Sequence, residues 1–86
     1  MLVVKKIQQG LFDDVLSGKK KAEFRLNDFG AQEGDILRLV EVDKNNEETS
    51  RCIEKKITYV WKCDLKKTYW PVEEILEKGI QVISFE

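Results

Sequence analysis

The segment from residue 18 to residue 28 carries the side chains best suited to chemistry. Lys20, Glu23 and Arg25 place an ammonium, a carboxylate and a guanidinium close together in the pattern Gly-x-Lys-x-x-Glu-x-Arg. A guanidinium presents a planar fork of donors to a phosphate or a base edge, whereas a carboxylate accepts hydrogen bonds. A lysine that is partly desolvated has a lowered pKa and can also act as a general base. The alternative is a surface ion pair between Glu23 and Arg25, worth about 0–1 kcal/mol.

Further side chains extend this candidate site. Lys21 adds a cation, and Asn27 lies in the adjoining turn. Trp70, close to Lys66 and Lys67 in sequence, is a candidate platform on which a base stacks, worth about 1–3 kcal/mol per base. Each also has a structural interpretation: Lys21 compensates a helix dipole, Asn27 forms a turn, and Trp70 packs against the start of a helix.

The apolar pattern predicts the elements that position these residues. Leu11 to Leu16 carry apolar side chains at helical spacing, which predicts a short helix that ends before Gly18. A second helix is predicted from Pro71 to near Gly79. The predicted strands are residues 2–8, 22–26, 36–42, 52–62 and 80–85.

The predicted strand 22–26 decides how the charged side chains are arranged. Because successive strand residues point to opposite faces, Phe24 is expected in the core while Glu23 and Arg25 share the polar face. Lys20 is expected in the turn before the strand, where it points across the mouth of a cleft. We therefore expect the three charged groups to converge on one pocket.

The element order β-α-β-β-β-α-β predicts an α+β domain with a mainly antiparallel sheet. Five strands around one small core close most easily as a barrel, which also reduces exposed strand edges. Tyr59 and Trp61 share the parity of Ile57 in the fourth strand, so they are expected to pack in that core. With 86 residues, residues 1–86 are predicted to form a single domain.

Composition excludes several classes of function. The chain has no histidine, which excludes Ser-His and Cys-His nucleophile systems. Cys52 and Cys63 do not supply the four ligands of a structural zinc site, so no metal or cofactor is predicted. The net charge of −1 provides no overall basic field, so any anion binding must come from a local patch.

The same composition predicts the surroundings of the chain. No apolar run approaches the roughly 20 residues that span a membrane, and Lys5 and Lys6 interrupt the apolar start too early for a signal peptide. We therefore predict a cytoplasmic protein with reduced thiols and no membrane partner. A monomer is expected.

In these residues the chain resembles the ASCH superfamily. The segments that carry the resemblance are Gly18-x-Lys20-x-x-Glu23-x-Arg25, the preceding Val15-Leu16-Ser17-Gly18, the following Asn27-Asp28 and Gly34-Asp35-Ile36-Leu37, and Gln81-Val82-Ile83-Ser84-Phe85. The resemblance covers nearly the whole chain and is closest to short stand-alone bacterial and phage-type members. It implies a small PUA-like β-barrel and a role in RNA binding.

The resemblance also implies a candidate chemistry. One branch of the superfamily looks like an amidohydrolase that removes the acetyl group of acetylated cytidine, and other members are reported as nucleases. Lys20 matches the catalytic lysine of that branch, and Glu23 stands where the branch has a threonine. Glu73 or Glu74 is the candidate for its more distant glutamate.

Three functions follow as predictions. The leading one is a binding domain that takes RNA or a modified nucleoside into a polar cleft built on the motif. The second is a metal-independent amidohydrolase acting on N(4)-acetylcytidine-type nucleosides, with Lys20 and Glu23 as catalytic residues. The third is a protein-interaction domain in which the cleft is vestigial.

Overall fold

Three strands and two helices form the framework of the chain in the computed structural model, which describes residues 1–81 and 83. The elements in order are β1 (Leu2–Gln8), α1 (Gln9–Leu16), β2 (Ile36–Val42), β3 (Glu48–Lys56) and α2 (Val72–Lys78), with a 3-10 turn at Leu65–Lys67 before α2. The predicted α+β class is confirmed. Neither of these helices has the length and apolar character needed to cross a bilayer.

The sheet has the order β1-β2-β3 and is mixed. β1 and β2 run parallel, with Leu2 opposite Ile36 and Gln8 opposite Val42, and β3 pairs antiparallel with β2. A parallel pair requires a long crossover connection, which here consists of α1 and the segment 17–35. The prediction of a mainly antiparallel sheet is therefore wrong, and the three strands of the described residues do not close into a barrel.

The core lies between α1 and one face of the sheet. Phe12 and Val15 are three positions apart on α1, so both point at the sheet, where they pack with Ile7 and Leu39. Leu37 and Ile53 are partly buried against this cluster. The apolar spacing of the sequence placed these elements correctly because each has one buried face.

One charged residue is buried beside this core. The β2–β3 pairing contains a bulge between Val40 and Val42, and Ser50 opposite it has a φ of 70°. The irregular register turns Thr49 and Arg51 toward the intervening Glu41, whose side chain is 5% exposed. The Thr49 hydroxyl donates to Glu41 Oε1, and Arg51 Nη2 lies 3.2 Å from Glu41 Oε2.

Both helices end as predicted, at glycines that adopt left-handed backbone. Gly18 follows α1 with a φ of 84°, and Gly79 follows α2 with a φ of 73°, a conformation that costs glycine nothing. The Gly79 amide donates to Ile75 O at 2.8 Å. No residue of α2 is buried, so this helix contributes little to the core.

The predicted strand 22–26 is wrong. The segment has no regular secondary structure, and Phe24 is 77% exposed and Leu26 80% exposed. Its contacts with the sheet come from side chains: Arg25 donates to Lys6 O at 2.6 Å. Without a ladder of backbone hydrogen bonds, alternation no longer determines which side chains are buried.

The predicted strand 52–62 is shifted. β3 begins at Glu48 and ends at Lys56, which pairs with Ile36, the first residue of β2. In the described part of the chain, the backbone pairing with this region continues past Lys56 only at Ile57. Tyr59 and Trp61 are consequently 75% and 72% exposed, and their predicted core position is wrong. Of the predicted strand 80–85, Ile80, Gln81 and Ile83 form no strand, and residues 82, 84 and 85 lie outside the described residues.

Candidate ligand-binding site

The carboxylate of Glu23 lies between two cations. Lys20 Nζ donates to Glu23 Oε1, and Arg25 Nε donates to Glu23 Oε2 at 2.9 Å. The side chains are 22% (Lys20), 19% (Glu23) and 33% (Arg25) exposed, so all three are partly shielded from water. The ammonium, the carboxylate and the guanidinium singled out in the sequence therefore meet in space.

The end of α1 and the first strand position this cluster. After the left-handed turn at Gly18, the Lys20 amide donates to Asp14 O at 2.9 Å, which folds the chain back against α1. Further along, Arg25 Nη2 binds Lys6 O of β1. The charged segment is thus attached to α1 at one end and to β1 at the other, although it belongs to neither element.

The cluster retains unused hydrogen-bonding capacity. An ammonium has three N–H donors and a guanidinium has five. Lys20 uses donors on Glu23 and on Ala22 O, and Arg25 uses Nε and one Nη2 donor. In the part of the chain that the structure describes, one Lys20 donor and three Arg25 donors have no protein partner. These donors suit an oxygen-rich ligand.

A concavity of about 410 Å³ opens beside the cluster, a volume within the range of small-molecule sites. Its walls come from Asp14 and from the continuous segment 19–24. Lys20 and Glu23 therefore reach the concavity, whereas Arg25 contacts the other oxygen of Glu23 and does not line it. Arg25 is thus placed to position Glu23 and not to present its fork to a ligand there.

The charge at the concavity is predominantly positive. Lys19, Lys20 and Lys21 line it together with the carboxylates Asp14 and Glu23, and Arg25 adds a fourth cation behind Glu23. Although the whole chain carries a net charge of −1, this local excess favours an anionic or electron-rich ligand.

Phe24 is the lining residue that sequence reasoning missed. It forms part of the concavity wall with its side chain largely exposed, whereas the strand prediction placed it in the core. The available signal was its position between Glu23 and Arg25 in the motif. In an irregular segment, neighbouring side chains can face the same space.

The remaining predicted residues are dispersed. Lys21 lines the concavity, and Asn27 is exposed in the turn that follows the segment. Trp70 lies before α2 and is 57% exposed. Glu74 lies on α2, where Lys78 Nζ approaches its carboxylate at 3.3 Å. Neither Trp70 nor Glu74 lines the concavity, and Glu73 lies beside Glu74 on α2.

A second concavity, of about 500 Å³, lies at the start of β2 and the end of β3, with Glu33, Gly34 and Lys56 among its lining residues. The carboxylate of Asp35 lies close to it in sequence and accepts from the Met1 ammonium at 2.9 Å and from the Gln32 amide at 2.9 Å. The bond from the ammonium, together with the amide, holds the pKa of Asp35 below its usual value. This pairing joins the chain start to β2 and is structural.

Within residues 1–81 and 83, no three histidine, cysteine, aspartate or glutamate side chains are grouped so that they could hold a metal ion. Cys52 and Cys63 are exposed free thiols.

Comparison with known proteins gives one match. The model of a family described as "Domain of unknown function (DUF3850)" matches residues 4–72. The matched range includes the charged segment and most of the sheet. No curated protein and no solved structure matches the chain. The family description names neither the ASCH superfamily nor an activity, so that resemblance stays a prediction.

Proposed function

We propose that this chain, which belongs to the DUF3850 family of domains of unknown function, binds RNA or a nucleoside-like ligand in the concavity beside Glu23. The observation that carries the proposal is the carboxylate of Glu23, held between Lys20 and Arg25 at the wall of that concavity. A carboxylate fixed between cations is oriented before a ligand arrives. Orientation in advance lowers the cost of binding.

Each side chain has a distinct part in this proposal. The remaining donor of Lys20 binds a phosphate or a base carbonyl oxygen, and Glu23 accepts from an exocyclic amino group or a ribose hydroxyl. Arg25 is a positioning residue, because it holds Glu23 from behind and attaches the segment to Lys6 O. Lys19 and Lys21 attract the anionic backbone of the ligand.

The resemblance to the ASCH superfamily supports the same proposal from the sequence. The motif that carries the resemblance includes Lys20, Glu23 and Arg25, the residues that pair with one another beside the concavity. The resemblance implies a PUA-like fold, which is a more specific assignment than the α+β class. It explains why a small domain without a net positive charge would recognise RNA through one local site.

Titration with cytidine 5′-monophosphate tests the site directly, with a short single-stranded RNA as a second probe. We expect Lys20→Met and Glu23→Gln each to lower affinity for both probes, by roughly tenfold for a charge-assisted hydrogen bond of about 1.5 kcal/mol. Wild-type binding should also weaken as salt rises. The matched control is Lys44→Met, which removes an exposed lysine of the β2–β3 loop. Equal affinities in all four proteins would disprove the site.

The contact between Lys20 Nζ and Glu23 in the concavity favours amidohydrolysis as a second candidate function. Lys20 would act as general base once its ammonium has passed a proton to Glu23, with which it is in contact: the neutral amine takes a proton from water as the water oxygen adds to the acetyl carbonyl of N(4)-acetylcytidine, and Glu23 keeps its proton for N4. The bond between that carbonyl carbon and N4 then breaks, N4 receives the proton, and acetate and cytidine leave. No oxidant, reductant or metal is required by this balance.

Acetate release from N(4)-acetylcytidine in the presence of a chelator tests this second function. We expect turnover by the wild type and none by Lys20→Ala, while Lys44→Ala retains it. Turnover that persists in Lys20→Ala, or no turnover by the wild type at high protein concentration, would exclude the reaction. Binding of cytidine 5′-monophosphate without turnover leaves the first proposal intact.

A further inference from the structure

We infer that the segment 59–70, here called the aromatic segment, is a second contact surface for single-stranded RNA. The inference rests on the proposed function for its class of ligand, but it concerns other residues. None of the residues that line the concavity belongs to this segment. The aromatic segment would bind the strand that continues from a nucleotide held beside Glu23.

The first observation is the exposure of four aromatic side chains. Tyr69 is 98% exposed, Tyr59 75%, Trp61 72% and Trp70 57%. A buried aromatic side chain removes about 150–250 Å² from water, so leaving four of them in solvent forgoes much hydrophobic stabilisation. Several large exposed aromatic side chains within twelve residues are typical of an interaction surface.

The second observation is the charge between these rings. Lys62, Lys66 and Lys67 lie between Trp61 and Tyr69 in the chain. Among the residues that the structure describes, none of these three lysines forms an ion pair. The acidic residue between them, Asp64, accepts from the Lys66 backbone amide at 3.0 Å. The segment therefore presents cations whose natural complement is a polyanion.

The third observation is local order in the second half of the segment. Asp64 caps the 3-10 turn Leu65–Lys67. The Thr68 hydroxyl then lies 3.3 Å from the carbonyl oxygens of both Leu65 and Trp70. These contacts hold the backbone conformation around Tyr69 and Trp70, which follow the lysines in the chain.

Rings and lysines together favour a single-stranded nucleic acid over other partners, and the proposed function makes that strand RNA. Unstacked bases stack on aromatic side chains whatever their sequence, and lysines bind the phosphates between them. A duplex hides its bases, so it would gain from the lysines alone. A purely apolar protein partner would leave three ammonium groups without counter-charges, which is costly.

Titration with an oligouridine of about ten nucleotides, within the range that single-strand binding sites cover, tests the surface. We expect Trp61→Ala and Tyr69→Ala each to lower oligouridine affinity about 5- to 150-fold, the equivalent of 1–3 kcal/mol of stacking. Neither variant should change affinity for cytidine 5′-monophosphate. Tyr69→Phe keeps the ring and should keep the affinity.

Leu76→Ala is the matched control, because Leu76 of α2 is an apolar side chain that is 81% exposed. It should bind both probes as the wild type does. The two proposals fail separately: Lys20→Met without effect on mononucleotide affinity disproves the Glu23 site, and Trp61→Ala and Tyr69→Ala without effect on oligouridine affinity disprove the aromatic segment.

Three further results would overturn the aromatic surface. Equal affinity for a duplex of the same length would show that the phosphates alone are bound. A loss of folding stability in Trp61→Ala or Tyr69→Ala well beyond that of Leu76→Ala would show that the rings are packed inside the protein. Concentration-dependent dimers that these variants abolish would show that the surface binds a second copy.

Discussion

Glu41 and Glu23 are each held by two side chains, yet they lie in opposite surroundings. The side chain of Glu41 is 5% exposed, at a bulge of the sheet beneath α1. Glu23 is 19% exposed and lies on an irregular segment beside a concavity. One carboxylate is enclosed by the fold, while the other faces a space that a ligand can enter.

The partners of the two carboxylates also differ in where they lie in the chain. Arg51 binds Glu41 and also Asp13 of α1 at 2.8 Å, with its guanidinium 4.7 Å from the Phe12 ring. It therefore joins β3, β2 and α1. The partners of Glu23 come from its own segment. A cluster built from neighbours in sequence can rearrange without moving the sheet, which suits a binding site.

The largest expected effect is at the buried cluster. Arg51→Met leaves the Glu41 carboxylate buried with only the Thr49 hydroxyl. We expect a loss of about 3 kcal/mol in the free energy of unfolding, at the lower end for broken buried pairs because Arg51 is itself half exposed. Urea denaturation measures it.

A second variant distinguishes the charge from the packing. Adding Glu41→Leu to Arg51→Met should restore most of the loss, since replacing a buried ion pair by apolar side chains is often neutral. A loss below about 0.5 kcal/mol in Arg51→Met, typical of ordinary surface positions, would mean that water already solvates Glu41. The contrast between an enclosed Glu41 and an accessible Glu23 would then not hold.

At the Glu23 cluster we expect ligand affinity to change far more than stability. Lys20→Met and Glu23→Gln should each lower the free energy of unfolding by less than about 1 kcal/mol, because the pairs are partly exposed. Arg25→Ala should cost the most of the three, since it also loses the bond to Lys6 O. Urea denaturation run beside nucleotide titration separates the two effects. A loss in the free energy of unfolding as large as that of Arg51→Met would show that the Glu23 cluster mainly stabilises the fold.

A smaller effect, which is present at neutral pH and disappears in acid, is expected at Asp35. Because the Met1 ammonium and the Gln32 amide lower the pKa of Asp35 below 3.8, the charged carboxylate stabilises the fold above pH 3.8. This contribution is lost as the pH falls through the lowered pKa. Unfolding midpoints of the wild type and Asp35→Asn should therefore differ by a constant amount at neutral pH and converge in acid. A difference that grows in acid would contradict the assignment.

The smallest effect is expected at Arg38 and Glu54, which form an exposed cross-strand pair at 2.6 Å. Arg38→Gln and Glu54→Gln should each change the free energy of unfolding by no more than about 0.5 kcal/mol, with a coupling below about 1 kcal/mol in a double-mutant cycle. The measurement is again urea denaturation. A coupling as strong as that at Glu41 would show that burial does not distinguish the clusters.

Periodicity predicted the elements that carry their own signal. β1, α1 and β2 were placed from alternating or helical apolar residues, and Gly18 and Gly79 marked the ends of both helices. The segment 22–26 also alternates, but alternation says nothing about whether a neighbouring strand is available to pair. The same limit applies to residues 57–62, since β2 begins at Ile36, which pairs with Lys56, and offers no strand partner beyond that point.

The sequence predicted which residues form the Glu23 cluster, but it did not predict what surrounds them. The spacing of Lys20, Glu23 and Arg25 was enough to expect their convergence, because residues this close in sequence meet in most turns. The buried Glu41 had no local signal, and Phe24 at the concavity had only its position between Glu23 and Arg25 in the motif. Each depends on what the rest of the chain places around it.

The sequence by itself determined the α+β class, the C-terminal ends of both helices, and a charged motif without histidine chemistry. Only the tertiary structure decided that the sheet is mixed, that Arg25 supports Glu23 from behind, and that Glu41 is enclosed while four aromatic side chains are not. Helix ends and ion pairs between near neighbours arise from local backbone and short-range forces. Burial and strand pairing depend on contacts between residues far apart in the chain, which no local pattern specifies.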